Sequence, residues 1–300
     1  MDYFEPKSVS EALSVLAKHG AEAKVIAGGT DVMVDIKFKE EPGGLVNIKK
    51  IPGLSGIQEN GAGLRIGALT TIRELETNAL VREKVPVLWE ASHQFASLQV
   101  RNTATIGGNI CRASPSGETL APLLVLEATG KCAFSDGEKS QPFTSFFQGP
   151  GKSVLGAKGL LTEIDVPYPA AGSKSVYLKH AVRGAMDIAM VGVAVLITPD
   201  PGKNNMQDVR IGDDGASDGD SALGIVRGLA DPPLALLVAV VARDGRAKRA
   251  FETADPVRIP TSDILARQHL RLLADGVTNG DAFEAGRSAI LGGEHQVNTD

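Results

Sequence analysis

Phe95 to Glu127 reads FASLQVRNTATIGGNICRASPSGETLAPLLVLE. At its centre, Thr105-Ile106-Gly107-Gly108-Asn109-Ile110 sets a glycine pair between an apolar approach and hydrogen-bonding side chains. A chain of this kind can turn sharply and bring backbone N–H groups against a phosphate. Downstream, Glu118 to Ala128 is apolar at helical spacing, which predicts a helix with Leu120, Leu123, Leu124 and Leu126 in the core and Gly130 placed to end it. A second loop of the same kind lies upstream, in Val25-Ile26-Ala27-Gly28-Gly29-Thr30-Asp31. Taken singly, each glycine pair is a turn signal. Two of them can clamp one diphosphate.

Around the loops the pattern alternates helix and strand. Ser8 with Glu11 forms a capping box that opens a helix carrying Leu13 and Leu16 on one face, with Gly20 to close it. Ala23 to Ala27 reads as a buried strand, and Leu45 to Ile48 completes a small β–α–β unit. A second region starts near Gly56, with a strand at Leu64–Ala68, a short helix at Ile72–Glu76 capped by Thr71, and another helix over Pro86–Phe95. Strands follow at Lys131–Phe134 and Leu161–Val166, the latter alternating Thr162, Ile164 and Val166 against Glu163 and Asp165. Pro167 to Ser173 reads as a linker, after which strands open a last lobe at Val176–Val182 and Met190–Ile197.

Composition removes several function classes. The 300 residues suit two or three lobes, and 43% hydrophobic residues can fill a sizeable core. A net charge of -5, with 31 basic residues spread along the chain, makes no stripe for nucleic acid or an anionic membrane surface. The opening Met1 to Pro6 is acidic and interrupted by proline, unlike the basic and then apolar front of a secretory signal. The longest apolar run, Leu234 to Ala242, falls far short of the roughly 20 residues that span a bilayer core. A cytoplasmic protein is expected. Cys111 and Cys132 make neither a CxxC pair nor a disulfide framework, and His19, His93, His180, His269 and His295 stand nowhere at ligand spacing, so no metal site is expected on this chain.

Neutral backbone donors can hold a diphosphate without the entropy loss of ordering long basic side chains. Thr30, Thr105 and Asn109 add hydroxyl and amide groups at the loop edges. A G-x-G-x-x-G fingerprint is missing after Val25, and no Gly-Lys-Ser/Thr follows either pair. Nicotinamide or ATP binding through those folds is therefore disfavoured. No acid, base or nucleophile constellation stands out, and no catalytic residue is assigned.

The stretch from Phe95 to Glu127 closely resembles the flavoprotein of the molybdenum hydroxylases, the xanthine dehydrogenase and carbon monoxide dehydrogenase group, in its form as a separate FAD-binding medium subunit. Ala27, Gly28, Gly29, Thr30 and Asp31, entered from Val25, match the family's AGGTD loop, and Thr105, Ile106, Gly107, Gly108 and Asn109 match its TIGGN loop. Phe95, which unassisted reading places in the core, stands where the family has an aromatic contact to the cofactor. Glu118, readable as a helix-start carboxylate, occupies the acidic place of the SPxxD/E motif, whose residue contacts the FAD ribose. Leu161 to Pro167 resembles the strand passing the adenine side. Tyr177 to Ala189 resembles YxKxxxRxxxDIA, in which the lysine at Lys179 approaches the cofactor; a lone strand lysine is otherwise a solvated one.

The resemblance covers about residues 1 to 200 and implies an α+β fold. It consists of a two-lobed FAD-binding domain of the vanillyl-alcohol-oxidase (PCMH) type over 1–172, with lobes about 1–55 and 56–172, and a small C-terminal α+β lobe over 173–290. It implies one noncovalent FAD, since neither loop holds a tethering histidine and Cys111 lies just outside its loop. It further implies a large molybdopterin-binding subunit and a small iron–sulfur subunit as partners in a dimer of heterotrimers, those cofactors residing on the partners alone. Electrons would pass from the clusters through FAD to an external acceptor. Beyond Ile211 the chain departs from the family: Gly212 to Asp220, GDDGASDGD, cannot be a buried strand and reads as an exposed loop. A non-redox binding or assembly module that keeps the fold, and a self-contained flavin oxidase, are the alternative readings.

Overall fold

The computed structural model describes residues 1–38, 41–183, 185–200, 206–213 and 224–227. The expectations placed on Asp214–Asp220 and on the chain after 227 lie outside these residues. The first sheet has three parallel strands in the order β1-β3-β2, namely β1 (Asp2–Phe4), β2 (Ala23–Ile26) and β3 (Gly44–Asn47). Helix α1 (Val9–His19) is capped as its sequence predicts, with Ser8 Oγ accepting from Glu11 N at 3.1 Å and Gly20 at φ 56 closing it. It buries Ala12, Leu13 and Leu16 against Val46, Ile48, Ile51 and Leu54. Helix α2 (Val32–Phe38) follows the first glycine loop directly.

The middle part wraps helices around a five-stranded antiparallel sheet of order β4-β5-β10-β6-β7. Its strands are β4 (Ile57–Glu59), β5 (Gly63–Gly67), β6 (Thr129–Phe134), β7 (Gly137–Pro142) and β10 (Leu160–Pro167), with a small β8 (Phe147–Gly149) and β9 (Lys152–Ser153) hairpin between. The helices are α3 (Ile72–Thr77), α4 (Ala79–Lys84), α5 (Pro86–His93), α6 (Leu98–Arg101), α7 (Ile106–Arg112) and α8 (Leu120–Val125). On β10 the predicted alternation holds: Thr162, Ile164 and Val166 are buried and Glu163 and Asp165 half-buried. Leu160, with Ala133, crosses into the core of the first sheet, so the first sheet and the five-stranded sheet share apolar surface, worth about 25 cal/mol per Å² removed from water.

Two expectations need correction. All six residues of α8 are buried, and the helix ends at Val125, well before Gly130. The chain leaves it through Glu127 at φ 54, while Gly130 is a strand residue of β6 whose added Cβ would stand 2.8 Å from Leu161 Cδ1. The last described sheet is antiparallel, in the order β11 (Lys174–His180), β12 (Val191–Pro199), β13 (Met206–Asp213) and β14 (Gly224–Arg227). Gly212 and Asp213, expected in an exposed loop, end β13, where Gly212 is buried and a Cβ on it would meet Ala121 O of α8 at 2.8 Å. The acidic run begins only after that contact has been made.

Candidate functional site

Between the first two sheets lies a cleft of about 1130 Å³, somewhat larger than the usual small-molecule site. The structure brings twelve of the fifteen predicted residues to it: Val25, Ala27, Gly28, Gly29, Thr30, Asp31, Phe95, Thr105, Gly107, Gly108, Asn109 and Leu161. Ile106 is fully buried in the main core instead, because the α7 start turns its side chain inward.

The loops meet each other first. A Cβ on Gly28 would lie 2.1 Å from Thr103 O, and one on Gly107 2.6 Å from Ala68 O, so both glycines are there for close backbone approach. In the first loop Gly29 takes the left-handed conformation, at φ 79, and the chain then enters α2. Among the described residues, the N–H groups of Gly28, Gly29, Thr30 and Asp31 have no protein acceptor, and all four residues line the cleft, where such groups are available as neutral donors.

The second glycine pair, read as a loop in the sequence, forms the first turn of α7 instead. The N–H of Gly107 donates to Ala68 O at 2.9 Å, that of Gly108 to Thr105 Oγ1 at 3.0 Å, and that of Asn109 to Thr105 O at 3.0 Å. These donors are consumed by the N-cap of α7 and by the tie to Ala68, the residue after β5, as helix starts require. The loop therefore presents polar edges: Asn109 has its Oδ1 fixed by Thr119 Oγ1 at 2.6 Å and Thr119 N at 3.3 Å, which turns the amide nitrogen to the other side as a directed donor.

Glu118 and Lys179 do not line the cleft. They form an ion pair at 2.9 Å with both side chains 8% exposed, and Lys179 Nζ donates further to Gln94 O at 3.1 Å and Asp187 O at 2.7 Å. With its three protons directed at three acceptors, Lys179 ties β11 to the end of α5, one residue before Phe95. Glu118 lies two residues ahead of α8 and makes no cap there; the N-cap position is Thr119.

Sequence reading missed two parts of the site. Arg112 at the end of α7 grips Asp35 of α2, with Nη1–Oδ2 2.6 Å and Nη2–Oδ1 3.3 Å, and reaches Asp31 at 3.6 Å. This fork–fork bridge joins α7 to α2 at the cleft, and the hydrogen bond that Arg112 donates to Asp35, with the charges of Asp35 and Asp31, holds the guanidinium pKa above its ordinary value against the opposing effect of burial. The 77-residue separation hides the pair from sequence patterns. The other part is the β8–β9 segment, including Gln148, Gly151, Lys152 and Gly156; its signal was the glycine cluster, with Gly149, Gly151 and Gly156 at φ 138, 71 and 54. Gly151 N donates to Ala113 O at 2.8 Å, fixing this wall to α7.

A long cleft edged by four free backbone donors, a fixed amide and an aromatic ring fits an extended dinucleotide that carries a diphosphate and a flat ring system. Among the described residues no group of three or more His, Cys, Asp and Glu is placed to hold a metal ion, and no helix is long and apolar enough to cross a membrane.

Comparison with known proteins agrees with this fit. Residues 1–169 match the family model described as the FAD binding domain in molybdopterin dehydrogenase. The carbon monoxide dehydrogenase medium chain of Hydrogenophaga pseudoflava is 35% identical over 197 residues, 65% of this chain and 68% of that one. The nicotinate dehydrogenase FAD-subunit of Eubacterium barkeri is 32% identical over 204 residues, covering 66% and 69%. Among solved structures, carbon monoxide dehydrogenase from Hydrogenophaga pseudoflava superposes with a TM-score of 0.73 at 29% identity, covering 95% of this chain and 98% of that one.

Proposed function

The chain belongs to the family of FAD-binding domains of molybdopterin dehydrogenases, and from that premise we propose that it is the electron-exit subunit of a molybdenum hydroxylase, working between a partner's iron–sulfur clusters and an external acceptor. Bound FAD supplies the redox chemistry, since it can take electrons singly and release them singly or in pairs. The chain's own residues bind and orient it. On this reading the N–H groups of Gly28 to Asp31 hold the diphosphate, Asn109 and Thr105 border the adjoining polar part, and Phe95 and Leu161 give apolar contact. The Arg112–Asp35 bridge fixes the two lobes at the width of the cofactor. Glu118 is proposed to reach a ribose hydroxyl by exchanging Lys179 for it, and Lys179 to approach the cofactor in the same rearrangement.

The observation that carries the reading is the row of four N–H donors at Gly28–Asp31 that have no acceptor among the described residues and line the cleft. The proposal extends to noncovalent FAD at one per chain, to large molybdopterin and small iron–sulfur partners in a dimer of heterotrimers, and to a cytoplasmic location. Relatives named as medium chains and FAD-subunits support the division of labour. The test mixes this chain with the molybdenum and iron–sulfur subunits of its complex and follows substrate-dependent dye reduction. Turnover is expected from the mixture and none from the chain with FAD alone. Full activity of the lone chain would mean a self-contained oxidase. Full activity of the complex with its native acceptor after this subunit has lost FAD would leave it a structural part.

A further inference from the structure

A charge node behind the Phe95 edge of the cleft has no part in the reading above. The Glu76 side chain, near the end of α3, is 7% exposed and takes three partners: Arg73 Nη1 at 2.8 Å, Arg101 Nε at 2.9 Å and His93 Nδ1 at 3.1 Å. Its backbone carbonyl accepts the Trp89 indole N–H at 2.7 Å. Arg101, itself 14% exposed, points Nη1 at the carbonyls of Phe95, at 2.8 Å, and Ala96, at 3.3 Å. Between these two carbonyls the chain does something unfavourable, because Ala96 takes φ 38, a left-handed conformation that a Cβ disfavours. Such a turn persists where its surroundings hold it.

We propose that the Glu76–Arg101 pair is a positioning device that holds the left-handed Phe95–Ala96 turn and so sets where the Phe95 ring stands in the cofactor cleft. Glu76 fixes the guanidinium by its Nε edge, which leaves Nη1 directed at the turn. A lysine at 101 could satisfy the carboxylate but has no planar fork with which to serve both carbonyls as well. Arg101 is thus a positioning residue acting through the backbone, and Glu76 acts through Arg101. The inference rests on the FAD reading of the cleft.

The test uses the full chain and FAD, with Arg101→Lys and Glu76→Gln, each alone and combined with Ala96→Gly. FAD affinity is read by fluorescence titration, and the flavin environment by visible circular dichroism. Arg101→Lys should weaken FAD about ten-fold, the order expected for losing one hydrogen bond from a charged group, and should alter the flavin dichroism. Ala96→Gly should restore most of that loss, because glycine adopts positive φ freely; a general loss of stability would not be repaired there. Wild-type affinity and spectrum in folded Arg101→Lys, or a loss that Ala96→Gly leaves untouched, overturns the proposal. If Arg101→Lys does not fold, Glu76→Gln is held to the same loss and rescue. If neither folds, Ala96→Gly must return a folded, FAD-binding chain to one of them, and failure to do so also overturns it. A wild-type chain that takes up no FAD sinks the cofactor reading and this inference together, whereas a wild-type chain that binds as tightly as folded Arg101→Lys sinks this inference alone.

Discussion

Gly28→Ala is the sharpest perturbation of the site. The new Cβ would stand 2.1 Å from Thr103 O, 2.8 Å from Thr103 C and 3.0 Å from Ala104 Cα, all backbone atoms, where ordinary contact begins near 3.4 Å. No rotamer relieves this, so the first loop must retreat from the second by more than an ångström. A shift of that size carries the N–H groups of Gly28 to Asp31 out of hydrogen-bond range of a diphosphate seated against the second loop. Losing one hydrogen bond to a charged group costs about 1.5–3 kcal/mol, which weakens binding about 10- to 150-fold. Overpacking adds about 1–3 kcal/mol to the cost in stability. FAD titration followed by fluorescence, beside thermal unfolding by far-ultraviolet circular dichroism, separates the two effects. A folded Gly28→Ala chain with unchanged FAD affinity would mean that this close approach does not align the donors.

Gly108→Ala should be milder, because its Cβ would meet Thr105 Oγ1 alone, at 2.9 Å; an FAD loss as large as that of Gly28→Ala would contradict the distinction between the loops. Lys179→Met, measured without FAD, should destabilise the chain by about 3–5 kcal/mol by leaving Glu118 buried and unpaired, and adding Glu118→Leu should return much of it. Additive effects in that denaturation cycle would deny the pair. Glu76 is held below its ordinary 4.5: burial works to raise it, but hydrogen bonds from Arg73 and His93 and the Arg101 charge outweigh it. A carboxyl lowered in the folded state contributes stability fully above the unfolded value and loses it as pH falls through the folded one. Glu76→Gln should therefore cost most near neutrality and progressively less below pH 4.5 in urea titrations. An equal cost at both ends of that range would show that the charge is not involved.

Local patterns carried most of the fold. Ser8 and Glu11 announce α1 because capping is decided within one turn, and the alternation on β10 survives because one face of that strand meets a core. Pattern failed at α8, which ends before the left-handed Glu127, and at Gly130, where the need was room beside Leu161 and Phe143. In the site, the first glycine pair was legible as a loop, whereas the second lies in the first turn of α7, and the reasons for the glycines were not legible at either. Gly28 and Gly107 answer to neighbouring backbone, and positive φ belongs to Gly29. The use of the second loop's N–H groups by Ala68 and Thr105 depends on tertiary contacts. So do the Arg112–Asp35 bridge and the Lys179–Glu118 pair, which join residues 77 and 61 positions apart.

By this reading the chain holds one FAD without a covalent bond. The direct measurement is the flavin-to-protein ratio after the chain has been saturated with FAD, desalted, and then precipitated with acid. One flavin per chain is expected before precipitation, and all of the yellow colour in the supernatant afterwards. A colourless desalted protein, or a yellow pellet, would contradict the account.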